Sequence, residues 1–203
     1  TLGRTYLLAE DLESVNGLTQ ALHLRGNQME QLGAFLAEQT ALSELKILLL
    51  YATEDDEPLA QLPHEIGKLK QLEHLDLHGN DQINLPPSLD QLRELRVLKL
   101  DHCGLQAVPE EIGTMSQLEW LDLNYNRITS FADVFDTLFA IYYIDLSFNP
   151  NTEPLPASLW RCLGLEKLYL NDLGLSELDE AVGGLIHLQT LSLNYNALRS
   201  LPD

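Results

Sequence analysis

The sequence predicts an α/β solenoid: a right-handed, horseshoe-shaped coil with a parallel β-sheet on its concave side and short helices or helical turns on its convex side. Three observations carry this expectation. An apolar frame, L-x-x-L-x-L-x-x-N-x-L, recurs with its first position at residues 19, 45, 72, 95, 118, 141, 165 and 188, and repeats at such a period mark stacked architectures. Within each copy the L-x-L alternation has the period of a strand with one buried face. After four of the copies a proline is followed three residues later by Ile or Leu, at Pro63, Pro86, Pro109 and Pro156. Proline suits a first helical position and the apolar spacing that follows is helical.

Taken in order, residues 1–17, with Leu8, Leu12 and Val15, echo the outer half of a repeat and are expected to form an N-terminal cap or an incomplete preceding repeat. Residues 18–203 form the repeat domain, with eight strands expected near 21–24, 47–50, 74–77, 97–100, 120–123, 143–146, 167–170 and 190–193. Surplus residues fall at 37–40, in the acidic stretch TEDDEP at 53–58, and in NPNTEP at 149–154. The acidic insertion is expected to bulge from the rim with Asp55 and Asp56 in water. The closing LRSLPD stops where another outer segment would begin, so a truncated C-terminal end is expected.

One strand cannot bury its leucines alone, but stacked repeats share a continuous core. The asparagine at the ninth position falls where the chain leaves the strand, and its amide can pair backbone groups that are costly to leave unmade. The frame departs from itself at Thr19 in place of Leu, and at Thr53, Cys103 and Leu173 in place of Asn. Thr53 and Cys103 are expected to replace the amide in part, and Leu173 not at all.

The pattern resembles the leucine-rich repeat family. The resemblance rests on Leu72, Leu75, Leu77 and Asn80; on Leu95, Leu98, Leu100 and Leu105; on Leu118, Leu121, Leu123, Asn126 and Ile128; and on Leu188, Leu191, Leu193, Asn196 and Leu198. The 23-residue period with L-P-x-x-I-G-x-L is similar to bacterial and intracellular members. The G-x-I-P signature of plant receptor ectodomains is missing, and the period exceeds the roughly 20 residues of the enteric effector ubiquitin ligases. The resemblance implies a binding scaffold, or the recognition arm of a larger enzyme such as a Roc-COR GTPase, a kinase or a secreted bacterial effector.

Composition narrows the partners. The net charge is −19, from 31 acidic against 12 basic side chains, which opposes association with nucleic-acid phosphates or anionic lipid and favours a basic partner or simple solubility. No run reaches the roughly 18 apolar residues a bilayer demands, and residues 1–15 lack a secretory signal pattern. Cys103 and Cys162 stand in different repeats and are expected to be free thiols, which fits a cytoplasmic, reducing compartment, or a host cytosol if the chain is a secreted effector. No Asn-x-Ser/Thr acceptor occurs.

The residues between the leucines line the concave face. Its middle column reads His23, Leu49, Asp76, Lys99, Asp122, Asp145, Tyr169 and Ser192. Lys99 can lie between Asp76 and Asp122, whereas Asp145 lies beside Asp122 without a basic neighbour; a self-satisfied charge ladder and a seat for a bound Lys or Arg are both open. Trp120, Tyr143, Tyr169 and the post-strand residues Tyr125, Phe148 and Tyr195 supply an aromatic cluster, read either as stacking that stiffens the sheet or as an interface, since exposed Trp and Tyr dominate hot spots. His78, Asp101 and His102 come near one another on adjacent strands, but His74 and His78 cannot share a metal, and no metal or cofactor is expected. With no phosphate loop, nucleophile elbow or zinc motif, the chain is expected to be non-catalytic. The partner-binding residues expected are Trp120, Asp122, Tyr125, Tyr143, Asp145, Phe148, Tyr169 and Tyr195, facing a protein or peptide. Self-association through solenoid ends is a third reading.

Overall fold

A computed structural model describes residues 7–8, 20–24, 32–38, 42 and 44–202. Among the described residues nine parallel strands form one sheet in chain order: β1 (Leu7–Leu8), β2 (Ala21–His23), β3 (Ile47–Leu49), β4 (His74–Asp76), β5 (Val97–Lys99), β6 (Trp120–Asp122), β7 (Tyr143–Asp145), β8 (Lys167–Tyr169) and β9 (Thr190–Ser192). The last eight are the expected strands. The first is an addition: Leu7–Leu8 pairs with Leu22–His23, so Leu8 belongs to the sheet rather than to an outer segment. Leu12, Val15 and the rest of the expected cap lie outside the described residues.

Every pairing holds the apolar positions in register, for example Leu75 with Leu98, Leu98 with Leu121 and Leu121 with Ile144. All four are fully buried, as are Leu77, Leu100, Leu123 and Leu146. Because the side-chain period is two, the residues on either side of each central position face away from this core.

The opposite layer begins with one α-helix, Leu32–Glu38, and continues as 3-10 turns at His64–Lys68, Pro87–Gln91, Glu110–Thr114, Phe135–Thr137, Leu159–Arg161 and Glu180–Gly184. Pro63, Pro86 and Pro109 stand just before these turns rather than at their first position. Their carbonyls accept from Ile66, Leu89 and Ile112 at 3.0–3.2 Å, and Pro156 does the same for Leu159. The apolar residue that closes each short turn, Ile66, Leu89, Ile112 or Leu159, is fully buried.

Between the layers runs a ladder of side-chain amides. Asn126 donates to Leu100 O and Leu123 O at 2.8 and 2.9 Å, and its Oδ1 accepts from Cys103 N and Leu105 N at 3.0 Å. Asn196 repeats the arrangement, and Asn80 and Asn149 repeat it with one N–H on Oδ1 in place of two. Cys103 covers one carbonyl through its thiol, Sγ to Leu77 O at 3.2 Å. Thr53 turns its hydroxyl to Asp56 Oδ2 at 2.7 Å, closing the acidic loop. Asp55 in that loop is exposed and Asp56 partly so.

Both cysteines are buried and free, and burial pushes the Cys162 thiol up to about 12. No helix among the described residues is long and apolar enough to cross a membrane.

Replacing Asn126 with leucine should remove four backbone contacts at once while adding bulk to a site that is 6% exposed. The expected loss is about 3 kcal/mol or more, read as a lower urea midpoint. An exposed control such as Asn84→Leu should shift it little.

Candidate functional site

The open face of the sheet carries its side chains in columns, because the parallel register places each residue beside its counterpart one repeat away. Trp120 pairs with Tyr143 in the sheet, and their rings stack at 3.4 Å and 7°. Tyr142 meets the Trp120 edge at 6.3 Å, and Tyr169 leans on Tyr143 at 5.4 Å. Trp120 and Tyr143 are therefore half-buried by each other, and the indole Nε1 of Trp120 is enclosed without a partner. Stacking was one of the two readings the sequence leaves open for these rings, and the stack is present, worth about 0.5–1.5 kcal/mol beyond area alone.

A second stack runs along the end of the strands. His102, Tyr125 and Phe148 lie face to face at 4.5 and 4.2 Å. All three adopt left-handed backbone, with φ of 54°, 51° and 56°. The turn out of each strand from β4 to β9 has this conformation, and repeat three meets it with Gly79, where an added Cβ would strike Ala52 O at 2.1 Å. A bulky aromatic in this region is uncommon and strained. Tyr195 shares the backbone conformation but not the stack: Asp172 occupies the intervening repeat, and Tyr195 is 80% exposed. The single cluster read from the sequence thus divides into two stacks and one isolated ring.

Carboxylates lie between the stacks. Lys99 does not bridge Asp76 and Asp122; its Nζ pairs with Asp76 at 3.2 Å, and His78 Nδ1 reaches the other oxygen of Asp76 at 2.9 Å. His102 turns to Asp101 at 3.4 Å. Asp122 and Asp145 are left to neutral donors. Asn124 gives its backbone N–H and its amide to Asp122 at 3.1 and 2.8 Å and reaches Asp145 at 3.4 Å, while Ser147 N donates to Asp145 at 2.9 Å. Burial, then the charges of Asp101 and Asp145, push the Asp122 carboxyl up to about 7. Burial also raises Asp145, and raises the Tyr143 hydroxyl with help from Asp145 and Asp122. Among the described residues Lys167, beside Tyr143 in the sheet, forms no ion pair.

Two features escaped the sequence reading. Phe139, Leu163 and Ile186 occupy the same position of three successive repeats and are 79%, 58% and 78% exposed; the preceding repeats hold Lys70, Arg93 and Ser116 there, so comparing that column would have revealed the change. Trp160 is buried in an outer turn where the other repeats have Gly or Asp.

A single parallel sheet closed by short outer turns, with an amide ladder between, defines a solenoid of stacked leucine-framed repeats. The chain belongs to the leucine-rich repeat family, matching its repeat region over residues 15–165. It is similar to a leucine-rich repeat protein of Leptospira interrogans, with 29% identity and a TM-score of 0.76 over 92% of this chain and 45% of that one. It is also similar to a plant peptide hormone receptor in complex with RGF2 (22%, 0.65, over 98% and 35%) and to TLR13 in complex with ssRNA13 (23%, 0.67, over 94% and 32%). The last two share the fold alone. The chain spans less than half the length of each. No curated protein matches it.

Asp122 provides a stability test. In the unfolded chain it ionises at its ordinary 3.8, whereas in the fold it keeps its proton to about 7. The fold binds the extra proton, so this residue's contribution is full below about pH 4 and is lost as pH rises to about 7. Asp122→Asn should therefore gain roughly 1–3 kcal/mol over the parent at pH 8 and almost nothing at pH 3.5, measured by urea unfolding at both values.

Proposed function

We propose that the chain is a non-catalytic protein–protein interaction module that holds a basic protein or peptide segment against the open, concave face of its sheet. The reading is carried by one observation: Asp101, Asp122 and Asp145 crowd together between two ring stacks, and Lys99, the lysine beside Asp122 in the sheet, is already committed to Asp76. A lysine or arginine from outside would relieve the repulsion. The rings of Trp120, Tyr143 and Tyr169 offer faces for the stem or head of such a side chain, and Tyr125 and Phe148 extend the apolar surface toward the rim.

The charge of −19 argues against a nucleic acid, in contrast to TLR13 with its bound ssRNA13, and sides with a peptide partner of the kind held by the plant receptor. Two buried free thiols suit a reducing compartment, the cytoplasm or a host cytosol. In a longer protein the same face would serve as the recognition arm of a catalytic domain. Tyr195, apart from both stacks, is a peripheral contact in this reading.

Because a cation on this face favours ionised Asp122, binding should release a proton near neutral pH and tighten between pH 6 and pH 8. The test is affinity capture with the chain, followed by calorimetry on the captured protein in buffers of different ionisation enthalpy. Tyr143→Ala should weaken binding by about 2 kcal/mol, and Asp122→Asn should abolish the pH dependence. Unchanged affinity in both variants would place the binding surface elsewhere.

A further inference from the structure

We infer a second ligand site on the rim between repeats six and seven, built for a short peptide segment carrying an arginine or lysine side chain. A cavity of about 600 Å³ opens there between residues 151–155 and residues 173–180, within the range of about 300–1,000 Å³ usual for ligand pockets. Trp120, Tyr143 and Tyr169 of the open face are not among its lining residues.

The cavity has a cause in the sequence. Leu173 breaks the amide ladder. In repeats five and six an asparagine reaches back to fix the neighbouring loop, as Asn126 does for Cys103 N and Leu105 N and Asn149 does for Ile128 N. Loop 149–154 receives no such anchor, and Asn151 N bonds instead to Asn149 O at 2.8 Å. Leu173 is tolerated because Leu146 O and Leu170 O each keep a donor, from Asn149 and Asn196. The loop also has one surplus residue, so it diverges from its successor and leaves a gap.

Trp160 lines that gap. The indole is 5% exposed, and its Nε1–H has no hydrogen-bond partner. Asn151 lines it as well; its Nδ2 donates to Glu153 O at 2.5 Å, and its Oδ1 is buried and unpartnered. Buried polar groups are rarely left unpaired, and here two residues that line the same cavity each hold one, a donor on Trp160 and an acceptor on Asn151. A peptide group supplies the complement to both, a carbonyl for the indole and an N–H for the amide oxygen. The remaining chemistry selects the side chain. Glu153, Glu177, Asp179 and Glu180 line the cavity, and among the described residues no Lys, Arg or His does. Asp179 spends one oxygen on Ala181 N; the exposed carboxylates of the other three face water. A cationic side chain on a peptide backbone satisfies every group named.

The test uses the whole chain labelled with nitrogen-15, whose two tryptophans give two indole resonances, assigned by Trp120→Phe. The probes are acetyl-Gly-Arg-Gly-amide, its glutamate counterpart, and agmatine, which has a guanidinium but no peptide group. The arginine peptide should shift the Trp160 indole saturably, leave the Trp120 indole in place, and bind about five- to tenfold more weakly to Trp160→Phe, followed at the Gly174 amide. Glu177→Gln with Glu180→Gln, both exposed, should weaken it similarly without disturbing the fold. A Trp160 indole that never moves, an equal response to the glutamate peptide, or agmatine binding as well as the peptide would each overturn the assignment. Movement of the Trp120 indole alone would mean that the peptide prefers the sheet face and that the rim site does not exist.

Discussion

The amide ladder is the interaction on which the rest depends. A strand of three residues ends too soon to satisfy its own backbone, and the chain must turn out of the sheet while its carbonyls and N–H groups are still buried between leucines. Each asparagine closes that deficit by binding its own strand, the preceding strand and the preceding loop at once. Hydrophobic stacking supplies the driving force, but it has no direction; the amides fix how far each repeat advances and where it turns. The left-handed residue just before each asparagine follows from the same constraint, which is why the aromatics at 125 and 148 accept a strained backbone.

With the backbone determined in this way, the open face is released from packing duty and free to carry chemistry. Cations beside or on its strands are used in links between repeats: Lys46 with Glu73, Arg96 with Glu119 and Lys99 with Asp76. Exposed pairs of this kind add little stability individually. Their effect on the surface is larger, because they leave Asp122 and Asp145 with only amide and N–H donors. The rings around these carboxylates lower the local polarity and raise the cost of their charge, so the face gains most from a partner that brings the opposite sign. The rim cavity applies the same logic by another route: there a missing rung separates two loops and leaves an indole and an amide oxygen without partners.

Much of this was legible in the chain. The frame positions, the eight strands, the exposed acidic loop and the importance of Asn80, Asn126, Asn149 and Asn196 are local consequences of period and side-chain chemistry. Leu173 was visible as a departure from the pattern, although its effect, a gap between loops, was not. The candidate site was legible as a list of residues but not as an arrangement. That Trp120 stacks on Tyr143 while Tyr195 stands alone depends on which rings the register makes neighbours, and on Asp172 falling between them.

By itself, then, the sequence determined the solenoid, the direction each side chain faces and the acidic character of the surface, because a repeated frame encodes the same local solution every 23 or so residues. Only the tertiary structure decided how charges and rings are shared. Lys99 has two carboxylates within reach of its column and takes Asp76, which is 4% exposed and already held by His78. Asp122 is left to Asn124 and to a raised pKa. Trp160 and Asn151 line one cavity, between two loops that part beside Leu173. Such choices arise between residues distant along the chain, where burial and competition among partners set the outcome and no sequence period records it.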